Sequence, residues 1–112
     1  MRGAGIVSRD VRSSAEWKAL VFWAKTTLPW VCHLCDQAIP ADVPKYHPLS
    51  YSLDHIETVR DRPDLELAPS NVAPSHHTCN SSRKARPLTP GLKLELAERF
   101  AVREAPAHKF FG

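Results

Sequence analysis

No stretch of this chain is apolar for long enough to cross a membrane. The longest uninterrupted run, Ala19 to Ala24, stops at Lys25, far below the ~18 residues a spanning helix needs. The opening residues, Met1 to Asp10, lack the charged-then-apolar order of a secretory leader. Three cysteines cannot pair off completely within one chain, which argues against a disulfide-stapled secreted domain. Repeats and low-complexity tracts are also missing. These absences predict a soluble cytoplasmic protein with no membrane partner. With 43% apolar and 24% charged residues, the composition is not that of a disordered chain. A chain of 112 residues suits a single domain, 1–112, with a thin core that leans on a metal or a partner for stability.

Ten prolines against four glycines predict many element boundaries and long ordered loops. Residues 1–12 carry Arg2, Arg9 and Arg12 without apolar periodicity and read as a basic arm. Ser13 and Glu16 have capping-box spacing, and Trp17, Leu20, Val21, Ala24 and Leu28 then recur at helical intervals, so a packing helix is expected over about 14–27, ended by Leu28-Pro29. Trp30 to Pro48 suits a metal knuckle and a loop, Tyr51 to Ile56 a strand, and Thr58 to Ser70 a polar, proline-broken surface loop. Ser75 is placed to cap a helix from about His76 to Ala85, and Thr89-Pro90 to open a last amphipathic helix with Leu92, Leu96 and Phe100 on one side.

Cys32-His-Leu-Cys35 and His76-His-Thr-Cys79 are two ligand pairs separated by 40 residues, and two such pairs close a tetrahedral Cys₃His zinc site. Four protein ligands leave no open position, so this Zn²⁺ is expected to be structural. His33 and His77 are alternatives to His76 as the fourth ligand. A redox role for Cys32 and Cys35, with Cys79 a buried thiol, is the rival reading.

Between the two pairs lies Leu53-Asp54-His55-Ile56, followed by Asn71 and, nine residues on, by Asn80 in Cys79-Asn80-Ser-Ser-Arg83-Lys84. Over about residues 30–86 this arrangement resembles the HNH endonucleases of the ββα-metal superfamily, in particular the small zinc-stapled proteins of phages and prophages. The resemblance implies an α+β fold: a ββα-metal core with a zinc knuckle, an N-terminal arm and helix over 1–28, and a C-terminal helix and tail over 87–112. It implies cleavage of double-stranded DNA with Mg²⁺ or Mn²⁺, leaving 5′-phosphate and 3′-hydroxyl ends. If the chain is phage or prophage encoded, the host cytoplasm is its setting, and genome packaging beside a phage terminase is one context.

Phosphodiester hydrolysis needs a base for the attacking water and a cation for the charge that grows on oxygen. Imidazole accepts a proton near neutral pH, which makes His55 the expected general base. The resemblance implies that Asn71 steadies that ring. Asp54, expected on the opposite side of the strand from His55, and Asn80 on the following helix are the expected ligands of the divalent cation. Arg83, Lys84 and Arg86 follow Asn80 and are expected to reach flanking phosphates. Family members often carry Gly-Gly after Asp-His, where this chain has Arg60 to Glu66, and the carboxylates of that loop repel DNA unless arginines screen them. A non-catalytic zinc-ribbon module that binds nucleic acid accounts for the knuckle and for the net charge of +3, but not for Asp54, His55, Asn71 and Asn80 together.

Overall fold

The computed structural model describes residues 14–99. Arg2, Arg9 and Arg12 of the expected basic arm and Phe100 of the last apolar stripe lie outside them. Among the described residues there are three helices and one two-stranded antiparallel sheet: α1 (Ala15–Thr27), β1 (Tyr51–His55), β2 (Val72–His76), α2 (His77–Arg83) and α3 (90–99). No helix among these residues is long and apolar enough to cross a membrane.

Helix α1 starts one residue later than the capping box suggested. Ser14 rather than Ser13 is the N-cap, its hydroxyl accepting from the Trp17 amide at 3.1 Å, which satisfies one of the amides the first turn leaves open. The expected stripe is the buried one. Trp17, Leu20 and Ala24 pack with Leu53 and Val72, and Val21 and Leu28 border them. Each large apolar side chain so buried contributes roughly 1.5–3 kcal/mol.

A second core surrounds the cysteines. Cys32, Leu34, Cys35, Ile39 and Cys79 are buried with Leu92 and Leu96 of α3, whose first turn is capped by Thr89, Oγ1 accepting from the Leu92 amide at 3.1 Å. Tyr51 packs against both cores.

The segment 72–76 departs from the sequence reading. It is strand β2, paired with β1 in the register Tyr51 to His76 through His55 to Val72, and the helix begins only at His77 and ends at Arg83. Ser75 therefore caps nothing; its hydroxyl donates to the Ser52 carbonyl across the sheet at 3.3 Å. Pro74 is tolerated because its polar edge faces away from β1. Its carbonyl accepts from the His33 amide at 2.9 Å, so no ladder bond is lost for want of a proline N–H. The surface loop after β1 contains two short 3₁₀ turns, Pro63–Leu65 and Pro69–Asn71.

Candidate zinc centre and adjoining cleft

The knuckle is a tight turn. The Cys32 amide donates to the Gln37 carbonyl at 2.9 Å and the Asp36 amide to the Cys32 carbonyl at 2.8 Å, while Val31 and Ala38 form an isolated bridge. Asp36 takes φ 64°, the left-handed conformation that Asp tolerates better than most residues. The result directs Cys32 and Cys35 toward the junction of β2 and α2, where His76 and Cys79 complete the group. The four ligand atoms lie within 4.8 Å of one another, all on buried residues.

His76 is the histidine brought to the cluster. Its Nδ1 is 3.3 Å from Cys35 Sγ and 3.8 Å from Cys79 Sγ, and its Nε2 donates to the Ala38 carbonyl at 2.9 Å. That bond fixes the tautomer and leaves Nδ1 as the ligand atom, a partnership characteristic of metal-bound histidine. His77 instead meets the Tyr46 ring edge-on at 6.3 Å, and His33 turns to Asp54.

Electrostatics favour a cation in this cluster. Hydrogen bonds from Cys35 and Cys79 hold the Cys32 thiol far below its usual range, against the effect of burial, and the same bonding pushes the Cys79 thiol up. Burial opposes charge on His76, but bonds to Cys32, Cys35 and the Ala38 carbonyl outweigh it and raise the imidazole to about 10. Of these two thiols, Cys32 is thus the readier to ionise and Cys79 the more resistant. Three cysteine sulfurs and one imidazole nitrogen are a donor set that fits Zn²⁺, and Cys32, Cys35, His76 and Cys79 form a potential zinc-binding group.

Next to it, at the end of β1, Asp54, His55, Asn80 and Lys84 line a cavity of about 200 Å³ with Thr58 and Arg60. Asp54 and His55 reach the same cavity although neighbouring strand residues alternate; His55 is the last residue of β1. His55 is buried, with Nε2 2.8 Å from the Glu66 carbonyl. A carbonyl can only accept, so Nε2 carries the proton in the neutral ring and Nδ1 has the lone pair. The Trp17 ring lies 5.3 Å from the imidazole, tilted by 31°, a contact that the helical spacing of Trp17 did not announce.

Asp54 Oδ2 is held twice, by His33 Nε2 at 2.8 Å and by an Arg83 guanidinium nitrogen at 2.7 Å. Asn80 donates from Nδ2 to Ser52 Oγ at 2.8 Å, which leaves Oδ1 as the acceptor atom of its amide. The Asn71 side chain bonds the loop rather than the His55 ring. Its Oδ1 accepts from the Glu57 amide at 2.8 Å and its Nδ2 donates to the carbonyls of Glu57 and Leu65 at 3.0 and 3.4 Å. The amide thereby ties both ends of the loop whose Glu66 carbonyl holds the histidine.

The three cations expected at phosphates have different surroundings. Arg83 is 1% exposed and donates to Asp54 and to the carbonyls of His55, Ile56 and Arg86, so its guanidinium is committed to internal partners. Arg86 is bidentate to Glu95 at 3.0 and 3.2 Å. Lys84 is exposed on the rim, at φ 59° and ψ −132°, a strained backbone position for a residue with a Cβ. Arg60, which also lines the cavity, donates to the Ala85 carbonyl at 3.2 Å; the residues 60–66 gave no sign in the sequence that Arg60 would reach the cleft. Arg60 pairs with Asp61 at 3.5 Å, and Arg62 with Asp64 and Glu57 at 2.8 and 3.9 Å, so arginines screen those loop carboxylates. No protein-family model, curated protein or solved structure matches this chain.

Proposed function

We propose that the chain is an HNH-type, divalent-metal-dependent DNA endonuclease whose β1, β2 and α2 constitute a ββα-metal core stapled by structural zinc. The observation that carries this reading is His55, its Nε2 anchored on the Glu66 carbonyl at 2.8 Å in a cavity shared with Asp54 and Asn80. A buried imidazole so fixed presents Nδ1 as a proton acceptor toward a water in the cavity. Asp54 and Asn80 supply two oxygens, and since His33 and Arg83 both occupy Oδ2, Oδ1 is the Asp54 atom that would hold Mg²⁺ or Mn²⁺ together with Asn80 Oδ1. Such a cation supplies neutralisation of charge on the phosphoryl and leaving oxygens. Asn71 acts at one remove, holding the loop that positions the His55 ring. Lys84 and Arg60 flank the cavity where phosphates of the bound strand would lie.

One observation favours a second reading. The Arg83 guanidinium against Asp54 already neutralises the carboxylate, as suits a zinc module that binds nucleic acid without cutting it. Incubating zinc-loaded chain with supercoiled plasmid, with and without Mg²⁺ or Mn²⁺, decides between them. Cation-dependent nicking that disappears in His55→Ala supports the nuclease; no nicking with either cation overturns it.

A further inference from the structure

A concavity several times the volume of the cleft lies beside it rather than over it. This groove of about 770 Å³ is lined by Trp30, Tyr46, Tyr51, Lys25, Lys45 and His77, among others, and no carboxylate lines it. We propose that it holds an unpaired nucleotide of a DNA strand that continues from the cleavage cavity, the base stacked on the aromatic side chains and its phosphates against Lys25 and Lys45. The inference rests on the nuclease reading for the identity of the strand.

Three features point to this occupant. The aromatic surface is presented to solvent: Tyr46 is 73% exposed and takes φ 70°, a conformation that bulky residues rarely adopt, with the His77 ring against it. Trp30 stands 4.6 Å from the Tyr51 ring and widens the platform. Base stacking on such rings tolerates any sequence, because every base has a π-face.

The charge is complementary to a nucleotide. Lys25 and Lys45 each place Nζ 5.3 Å from the centre of a ring, Tyr51 and Tyr46 respectively, and among the described residues neither lysine pairs with a carboxylate.

Two contacts also join the walls of the groove and the cleft. Trp17 and Ser52 line the groove; the Trp17 ring contacts His55, and the Ser52 hydroxyl accepts from Asn80. A strand whose scissile phosphate sits at His55 therefore has an aromatic berth next door. The substrate class that follows is DNA with a single-stranded portion at the cut, such as a flap or a gap, rather than uninterrupted duplex.

The test uses zinc-loaded full chain carrying His55→Ala, so that binding is read without cleavage, and fluorescence anisotropy of a labelled oligonucleotide presented single-stranded and as its duplex. Adding Tyr46→Ala and Lys45→Ala should weaken single-strand binding by at least the roughly 5- to 150-fold range of one base-aromatic stack, and duplex binding much less. Phe22→Ala, an exposed aromatic on α1 outside the groove, should change neither. Equal losses for both DNA forms, or no loss, overturn the groove assignment. On the wild-type background with Mg²⁺ or Mn²⁺, a flapped duplex should be cut faster than a plain one, and Tyr46→Ala with Lys45→Ala should erase that preference. Tyr46-dependent strand binding by a chain that never cuts would sustain the groove and overturn the nuclease, whereas cutting without Tyr46-dependent strand binding would overturn the groove alone.

Discussion

Arg83 and Asp54, 29 positions apart, form a buried ion pair in which a guanidinium nitrogen lies 2.7 Å from Oδ2. The same guanidinium also bonds the carbonyls of His55 and Ile56, so one side chain on α2 fastens the end of β1. Removing one member of such a pair leaves a buried charge and several polar groups without partners. Arg83→Ala should therefore lose about 3–5 kcal/mol of stability, whereas Lys84→Ala, exposed beside it, should change stability by no more than about 0.5 kcal/mol. Denaturant unfolding of the zinc-loaded proteins measures both, and an Arg83→Ala protein as stable as the wild type would contradict the buried role.

Zinc should be bound at about one ion per chain, measurable by elemental analysis, and Cys32→Ser or Cys79→Ser should give unfolded or insoluble protein. Structural zinc contributes an apparent ~10–16 kcal/mol in small zinc domains, more than the whole stability of most domains. Affinity should fall on acidification. His76, raised to about 10 by its bonds to Cys32 and Cys35 despite burial, must surrender the Nδ1 proton to bind metal, so affinity rises with pH toward that value, about tenfold per unit for each proton released. Chelator competition at pH 6, 7 and 8 would show this; a pH-independent affinity would exclude these ligands.

For the reacting groups, different losses are expected. His55→Ala should reduce plasmid nicking by roughly 10²- to 10⁴-fold, the usual contribution of a general base, with zinc content and DNA affinity nearly intact. Asp54→Ala and Asn80→Ala should raise the Mg²⁺ or Mn²⁺ concentration needed for half-maximal nicking. Asp54→Ala should also destabilise the fold, because it strands Arg83; Asn80→Ala is the cleaner probe of cation binding. Wild-type cation dependence in Asn80→Ala would remove that residue from the site.

DNA affinity should depend on Lys84 and Arg60 rather than on Arg83 and Arg86. Replacing the two rim cations by Ala should lower affinity alike for unrelated sequences and flatten the dependence of log affinity on log salt by about two units, roughly one for each lost phosphate contact. An unaltered salt slope would move the DNA path away from this rim.

The parts legible in the sequence are those with a short-range rule. The stripe from Trp17 to Leu28 obeys helical spacing, and the two ligand pairs obey the spacing of a metal knuckle, so α1 and the zinc ligands stand where expected. Strand β2 was hidden because Val72-Ala-Pro-Ser-His76 contains a proline and because Ser75 has the chemistry of a helix cap; only the pairing with β1, set by distant residues, decides its conformation. Arg83 and Lys84 are adjacent and chemically alike, and their fates diverge through the twist of a seven-residue helix over a carboxylate 29 positions earlier. His33, read as a spare zinc ligand, bonds Asp54 for the same long-range reason. The link between Asn71 and the His55 ring runs through a loop whose path no local pattern announced.

The two cores have a consequence for the order in which the molecule comes apart. Tyr51 borders both, but α1, with Trp17 against His55, belongs to one, while the cysteines and α3 belong to the other. Regions with separate packing open as separate cooperative units, and of the two only the second contains the potential zinc ligands. On gentle heating, amide exchange should quicken in α1 while the amides around Cys32 and Cys79 stay protected. Nicking should then fade before zinc escapes, and cooling should restore it without added metal.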